Sequence, residues 1–154
     1  MATYTQGSID FADMPNYLAW ASMNAGFNPA AYVFHNAEYE STVLLISLLW
    51  PSFIIHDDCV FLDFRFQLDT YSKWVSSGSS KRNIEALMNH CHIYDLFNNV
   101  RGRSQNNIRW LARHISDMWQ ACASVKLQGR HIIASAVCNG DVDEWYVTLC
   151  QNHE

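Results

Sequence analysis

The stretch VLLISLLWPSFIIHDDCVFLDFRF, residues 43–66, decides how this chain folds. Its first part is almost wholly apolar and ends at Pro51, because a proline pushes the residue before it out of the helical region. A helix that is apolar on every side is usually covered by other elements. We therefore predict a central, buried helix over residues 36–50. A buried strand is the alternative, because the apolar run is too short for periodicity to decide.

Two strands are predicted after the proline, over residues 53–56 and 59–66. The second strand alternates between two faces, one with Val60, Leu62 and Phe64 and the other with Phe61, Asp63 and Arg65. Asp57 and Asp58 join the two strands. A tight two-residue turn prefers glycine or asparagine, so a longer or bulged connection is the alternative.

The rest of the chain predicts four more helices and a second hairpin. Helical periodicity and end signals place the helices at residues 13–26, 68–75, 81–98 and 104–125. The hairpin pairs residues 131–137 with residues 144–149. Residues 1–12 are predicted to form an N-terminal arm, and SSGSS at 76–80 a flexible internal loop.

These elements predict a single α+β domain over residues 1–154. We expect about five helices to pack on a small, mostly antiparallel sheet of about four strands, with a single-layer core. The apolar share of 49% supplies ample material for that core.

Composition limits the class of protein. The net charge is −5, which disfavours nucleic acid and anionic membranes and favours a basic partner. The five cysteines lie far apart, mostly among apolar neighbours, a pattern typical of reduced thiols in the cytoplasm. No apolar run approaches the roughly 18 residues of a membrane helix, and the first residues lack the features of an export signal. We therefore expect a cytoplasmic protein that does not associate with membranes.

The segment His56-Asp57-Asp58-Cys59 is the first candidate for chemistry. A metal-dependent or acid–base hydrolase would use His56, Asp57 and Asp58, with His92 and Asp95 brought close by folding. Neighbouring side chains on an extended chain point in opposite directions, so a solvated turn is the favoured interpretation.

Asn89-His90-Cys91-His92 is a second candidate, because histidines and cysteines are metal ligands. On the predicted helix, His90 and His92 lie about 200° apart, so they do not face one ion. His92 and Asp95 share a helix face, and a carboxylate that orients a histidine is a common functional pair. Such a pair is equally an ordinary packing contact.

The third candidate is an anion site at the start of the helix predicted over 104–125. Arg101 and Arg103 precede Ser104, and backbone donors at a helix N-terminus favour anions. A sensor of phosphate or another anionic ligand would use these arginines. The alternative is a solvated helix face.

Two further patterns indicate a protein-binding surface. Trp110, His114 and Asp117 align on that same helix, away from its apolar stripe. The second hairpin carries carboxylates beside aromatic residues, namely Asp141, Asp143, Glu144 and Trp145. Such a mixture suits contact with a basic protein.

The preferred hypothesis is a non-enzymatic protein-binding module without a cofactor. The sequence lacks the motifs of the nucleophile elbow, the dinucleotide fold, the P-loop and the zincins, which lowers the expectation of an enzyme. In its concrete form, the hypothesis is a small acidic inhibitor or immunity-type protein that neutralises a basic toxin or nuclease. The hydrolase and the anion sensor are the alternatives.

Overall fold

The computed structural model describes residues 9–97, 100, 102–140 and 144–153. Within these ranges the predicted α+β class is confirmed. The chain forms seven α-helices and five strands, which lie in one two-stranded and one three-stranded sheet. In chain order the elements are α1 (Pro15–Met23), α2 (Pro29–Asn36), α3 (Tyr39–Leu49), β1 (Phe53–His56), β2 (Cys59–Leu62), α4 (Leu68–Ser76), α5 (Lys81–Met88), β3 (Cys91–His92), α6 (Ile93–Leu96), α7 (Gln105–Lys126), β4 (Ile132–Asn139) and β5 (Glu144–Gln151).

Strands β1 and β2 form an antiparallel hairpin with a two-residue turn, in which His56 pairs with Cys59. The predicted connection through Asp57 and Asp58 is confirmed, and the alternative of a longer or bulged connection is not what forms. Asp57 and Asp58 both take positive φ angles, 48° and 66°. Aspartate tolerates this left-handed conformation better than most residues, which is how the tight turn forms without glycine.

Strand β2 contributes side chains to two separate hydrophobic cores. The predicted single-layer core is therefore wrong. All four of its side chains are buried, yet they face different clusters. Val60 and Leu62 join the main core with α7 and the three-stranded sheet. Cys59 and Phe61 join a smaller core on the other side, with residues from α4 and α5. The strand ends at Leu62, before the predicted boundary, because the next residues form a 3₁₀ turn.

The three-stranded sheet has the order β3-β5-β4, and all its pairings are antiparallel. Helix α7 packs on this sheet and begins and ends within one residue of its predicted bounds. The predicted apolar stripe is largely confirmed, because five of its members are buried: Ile108, Ala112, Ile115, Trp119 and Cys122.

The predicted central burial of the apolar helix is wrong. Helix α3 contains no buried residue, and residues 43–46 are each at least 41% exposed. Its C-terminal end is bound to α7, where Trp119 Nε1 donates to the carbonyl of Leu48, and just beyond the helix Lys126 Nζ donates to the carbonyl of Pro51. Apolar composition alone therefore does not locate this helix in the core.

The prediction of one continuous helix over residues 81–98 is also wrong. Helix α5 ends at Met88, and Cys91 and His92 pair with Val147 and Tyr146 of β5. A one-turn helix, α6, follows directly. The strand pairing satisfies the backbone groups that a continuous helix would have used, so tertiary contacts override the helical pattern.

In the described part of the chain, no helix combines the length and apolar composition needed to cross a membrane. The five cysteines all lie in that part, and none forms a disulfide.

Candidate functional site

The two sheets are joined by the side chain of Glu85, which is fully buried on α5. Its Oε1 accepts a hydrogen bond from the backbone N–H of Val60 in β2 at 2.7 Å, and its Oε2 accepts one from the N–H of Gln151 in β5 at 2.7 Å. The carboxylate thus bridges the backbones of β2 and β5.

Asn89 makes a matching bridge one helical turn further on. Its Oδ1 accepts from the N–H of Leu62 at 2.8 Å, and its Nδ2 donates to the carbonyls of Val60 and Leu149. Both side chains are completely buried, and the backbone groups they satisfy would otherwise lack ladder partners. Sequence analysis missed this junction because a Glu and an Asn spaced by four look like an ordinary helix surface.

Three residues that can bind metal ions meet at this junction, because the potential ligand atoms of Cys59, Glu85 and His153 all lie within 4.8 Å of one another. The carboxylate already accepts from Val60, from the backbone and side chain of Gln151, and lies 3.0 Å from His153 Nε2. Burial raises the pKa of the Cys59 thiol to about 11, which disfavours the thiolate that a metal requires. The cluster is therefore explained as part of the fold.

The predicted site at His56-Asp57-Asp58-Cys59 does not converge on one point. Asp57 accepts from Tyr71 Oη at 3.1 Å and lies 3.6 Å from His56. Asp58 instead pairs with Arg130 at 2.8 Å, and this hydrogen bond and charge lower the pKa of the Asp58 carboxyl. Cys59 is buried. The side chains diverge as an extended chain with a tight turn requires.

His92 and Asp95, the other two residues of that hypothesis, lie elsewhere. Asp95 is exposed in the short helix α6. The carboxylate nearest to His92 is Glu144, whose Oε1 lies 3.0 Å from His92 Nδ1. The approach is off the direction of a hydrogen bond, and no described residue accepts one from that nitrogen.

His90 and His92 do meet, contrary to the helical argument. Because Cys91 and His92 form a strand, side chains two apart lie on one side, and the two Nε2 atoms are 3.0 Å apart. Tyr146 stacks on the His90 ring with centroids 4.0 Å apart. Burial, with a smaller effect of the His92 charge, lowers the pKa of His90.

The predicted anion site is filled by a carboxylate of the protein itself. Arg101 lies outside the described residues. Asp13 Oδ2 accepts a hydrogen bond from the backbone N–H of Ser104 at 2.8 Å, at the start of α7. Arg103 donates to the Asp13 carbonyl at 3.2 Å. Neither α1 nor α7 has a side-chain hydrogen bond from its own N-cap residue, and Asp13 instead caps α7 across the fold.

The predicted residues on α7 stay together on one helix. Trp110 and His114 stack with centroids 3.8 Å apart, and both are partly buried, while Asp117 is exposed. In the second hairpin, Asp141 and Asp143 lie outside the described residues. Trp145 packs against the main core, and Glu144 lies beside His92. The α7 residues thus remain available for contact, whereas Trp145 has a structural role.

Helices α1–α3 carry many exposed apolar side chains, although the sequence predicted a buried helix over residues 36–50. Among the described residues before Pro51 none is buried, and twelve large apolar side chains of that segment are exposed. Exposure peaks at the α2–α3 junction, residues 34–40, with Phe34 84% and Tyr39 83% exposed. Glu38 and Glu40 lie exposed beside these rings. Aromatic rings and carboxylates therefore share one outer surface.

Comparisons of the chain with protein-family models, with curated proteins and with solved structures find no match.

Proposed function

We propose that this protein is a non-enzymatic protein-binding module that docks on a basic partner through helices α1–α3. The observation that carries the proposal is the exposure of Phe34 and Tyr39 beside Glu38 and Glu40 at the α2–α3 junction. A concentration of exposed apolar side chains supports an interaction site, because exposing them to water is unfavourable.

Charge supports a basic partner. No lysine or arginine precedes Arg65, so every formal charge on α1–α3 is negative. Aromatic rings bind arginine and lysine side chains through cation–π contacts, and the adjacent carboxylates bind them as ion pairs. Apolar residues 43–46 extend the contact surface along α3.

The concrete form of the proposal is a cytoplasmic inhibitor or immunity-type protein that neutralises a basic toxin or nuclease. The anchoring of α1–α3 at two points along α7 supports this role. Asp13 holds the start of this segment at Ser104, and the carbonyl of Leu48 holds its end at Trp119. Anchoring at two points orders the surface before the partner arrives, which reduces the entropy cost of binding.

The test is co-expression with the basic toxin or nuclease encoded beside this protein. We expect the wild-type chain to restore growth and to co-purify with that partner in a stoichiometric complex. The double charge reversal Glu38→Lys/Glu40→Lys should abolish both effects, and the complex should weaken as salt rises. Asp117→Lys, on the exposed face of α7, is the matched control that retains binding if α1–α3 form the contact.

Two results would count against the proposal in different ways. If the wild-type chain neither rescued growth nor bound a partner, the inhibitor role would be wrong. If Asp117→Lys abolished binding and the double reversal did not, the contact would lie on α7 at Trp110 and His114.

A further inference from the structure

The two histidines of the β3 segment present their ring nitrogens to each other. The Nε2 atoms of His90 and His92 are 3.0 Å apart, and the ring centroids are 4.4 Å apart with planes inclined by 45°. Rings that met end to end with this nitrogen–nitrogen distance would have a longer centroid distance than 4.4 Å. The rings therefore lie side by side.

Neighbouring side chains hold both rings in place. Tyr146, the cross-strand partner of His92, stacks on His90 with planes inclined by only 15°. On the far side of the second ring, Glu144 Oε1 lies 3.0 Å from His92 Nδ1. This carboxylate lies outside the direction of a hydrogen bond, so its contribution is a negative charge beside the ring.

The spacing of the two nitrogens matches a particular coordination geometry. With metal–nitrogen distances of about 2.0–2.1 Å, two ligands at a right angle lie about 2.9 Å apart and two tetrahedral ligands about 3.3 Å apart. The observed 3.0 Å is nearer to the right angle of tetragonal or octahedral ions than to the tetrahedral geometry of Zn²⁺. The His92 side chain is 36% exposed, so an ion can enter from solvent with water as its other ligands.

We propose that His90 and His92 together chelate one divalent transition-metal ion of the Ni²⁺ or Cu²⁺ class, with the negative charge of Glu144 beside His92. The site is independent of the proposed contact on α1–α3, because it lies on the three-stranded sheet and uses different residues. Imidazole nitrogens favour these ions over Mg²⁺ and Ca²⁺, which prefer oxygen ligands.

The experiment is calorimetric titration of tag-free protein with Ni²⁺, with Mg²⁺ as the reference ion. We expect one Ni²⁺ per chain and no heat of binding with Mg²⁺. His90→Gln and His92→Gln should each weaken Ni²⁺ binding at least tenfold, and Glu144→Gln should weaken it less, by loss of a nearby negative charge. His114→Gln and Cys150→Ser are the matched controls, and both should bind as the wild type does.

A second measurement does not depend on the stability of variants. Electron paramagnetic resonance of the wild-type chain with one equivalent of Cu²⁺ should show coupling to two imidazole nitrogens. Absence of Ni²⁺ binding would overturn the proposal and leave a hydrogen-bonded histidine pair only. Coupling to a single nitrogen, or Ni²⁺ binding unchanged in both histidine variants, would equally overturn it.

Discussion

Glu85 and Asn89, four residues apart at the end of α5, together bind the backbones of both β2 and β5. Two side chains thereby replace a row of ladder hydrogen bonds between two sheets. A buried polar group stabilises a fold only when its partners are all present. The junction is therefore sensitive to the loss of either side chain.

Asn89→Ala should destabilise the protein strongly. The change leaves three buried backbone groups without a partner, namely the N–H of Leu62 and the carbonyls of Val60 and Leu149. Each such group costs about 1–3 kcal/mol, so we expect the free energy of unfolding to fall by about 3 kcal/mol. Urea unfolding followed by circular dichroism measures it. Asn83→Ala, on the exposed side of α5, is the control and should change stability by less than about 0.5 kcal/mol. Equal effects of the two changes would contradict the bridging role.

The conformation of the β1–β2 turn predicts that Asp57 can be replaced by asparagine, but not by valine, without loss of stability. Asp57 has a φ of 48°, where a β-branched side chain is strained by about 1–2 kcal/mol and asparagine is accepted readily. Asp57→Val should therefore lower the melting temperature, whereas Asp57→Asn should leave it nearly unchanged. Asparagine also keeps an oxygen that can accept from Tyr71. A turn that tolerated valine and asparagine equally would not have the positive φ described.

The thiol of Cys59 should be unreactive in the folded protein near neutral pH. Burial, supported by the charge of Glu85, raises its pKa to about 11, so the thiolate is scarce at pH 8. A thiol-specific disulfide reagent followed by peptide mapping should label Cys59 only after unfolding in urea.

The raised pKa of Cys59 makes the stability of the folded protein depend on pH. The unfolded chain loses this proton first, at a pKa of about 8.5, so the contribution of Cys59 lowers stability as pH rises from about 8.5 to 11. Cys59→Ala should therefore lose less stability than the wild type between pH 8 and pH 10.5. Identical slopes for the two proteins would contradict the raised pKa.

Two leucines, Leu44 and Leu149, should differ sharply in their contribution to the free energy of unfolding. Leu44 on α3 is 68% exposed, so Leu44→Ser should change the free energy of unfolding of the isolated chain by less than about 0.5 kcal/mol. Leu149 on β5 is fully buried, and Leu149→Ala should cost about 2–5 kcal/mol. Chemical denaturation measures both changes. A large loss on Leu44→Ser would mean that α3 is covered within the chain itself.

Local sequence patterns predicted the elements that keep one periodicity along their whole length. The spacing of Ile108, Ile115 and Trp119 places them on the buried face of α7, and alternation in β2 separates Val60 from Phe61. In both cases one periodicity applies throughout the element, and burial follows from it directly.

Helical periodicity failed where the chain changes element within a few residues. Residues 81–98 carry a continuous helical pattern, but the pairing of Cys91 with Val147 interrupts it. That pairing brings His90 and His92 to the same side, which a helix would have prevented. A contact between residues more than fifty positions apart leaves no periodic signal in either segment.

The sequence by itself determined the α+β class, the apolar stripe of α7 and the excess of negative charge, because these depend on composition and local periodicity. Tertiary structure alone decided that the apolar run at residues 43–50 lies on the surface, that Asp13 caps α7, and that Glu85 and Asn89 join the two sheets. Each of these depends on which distant backbone groups are left to satisfy once the helices and strands have formed.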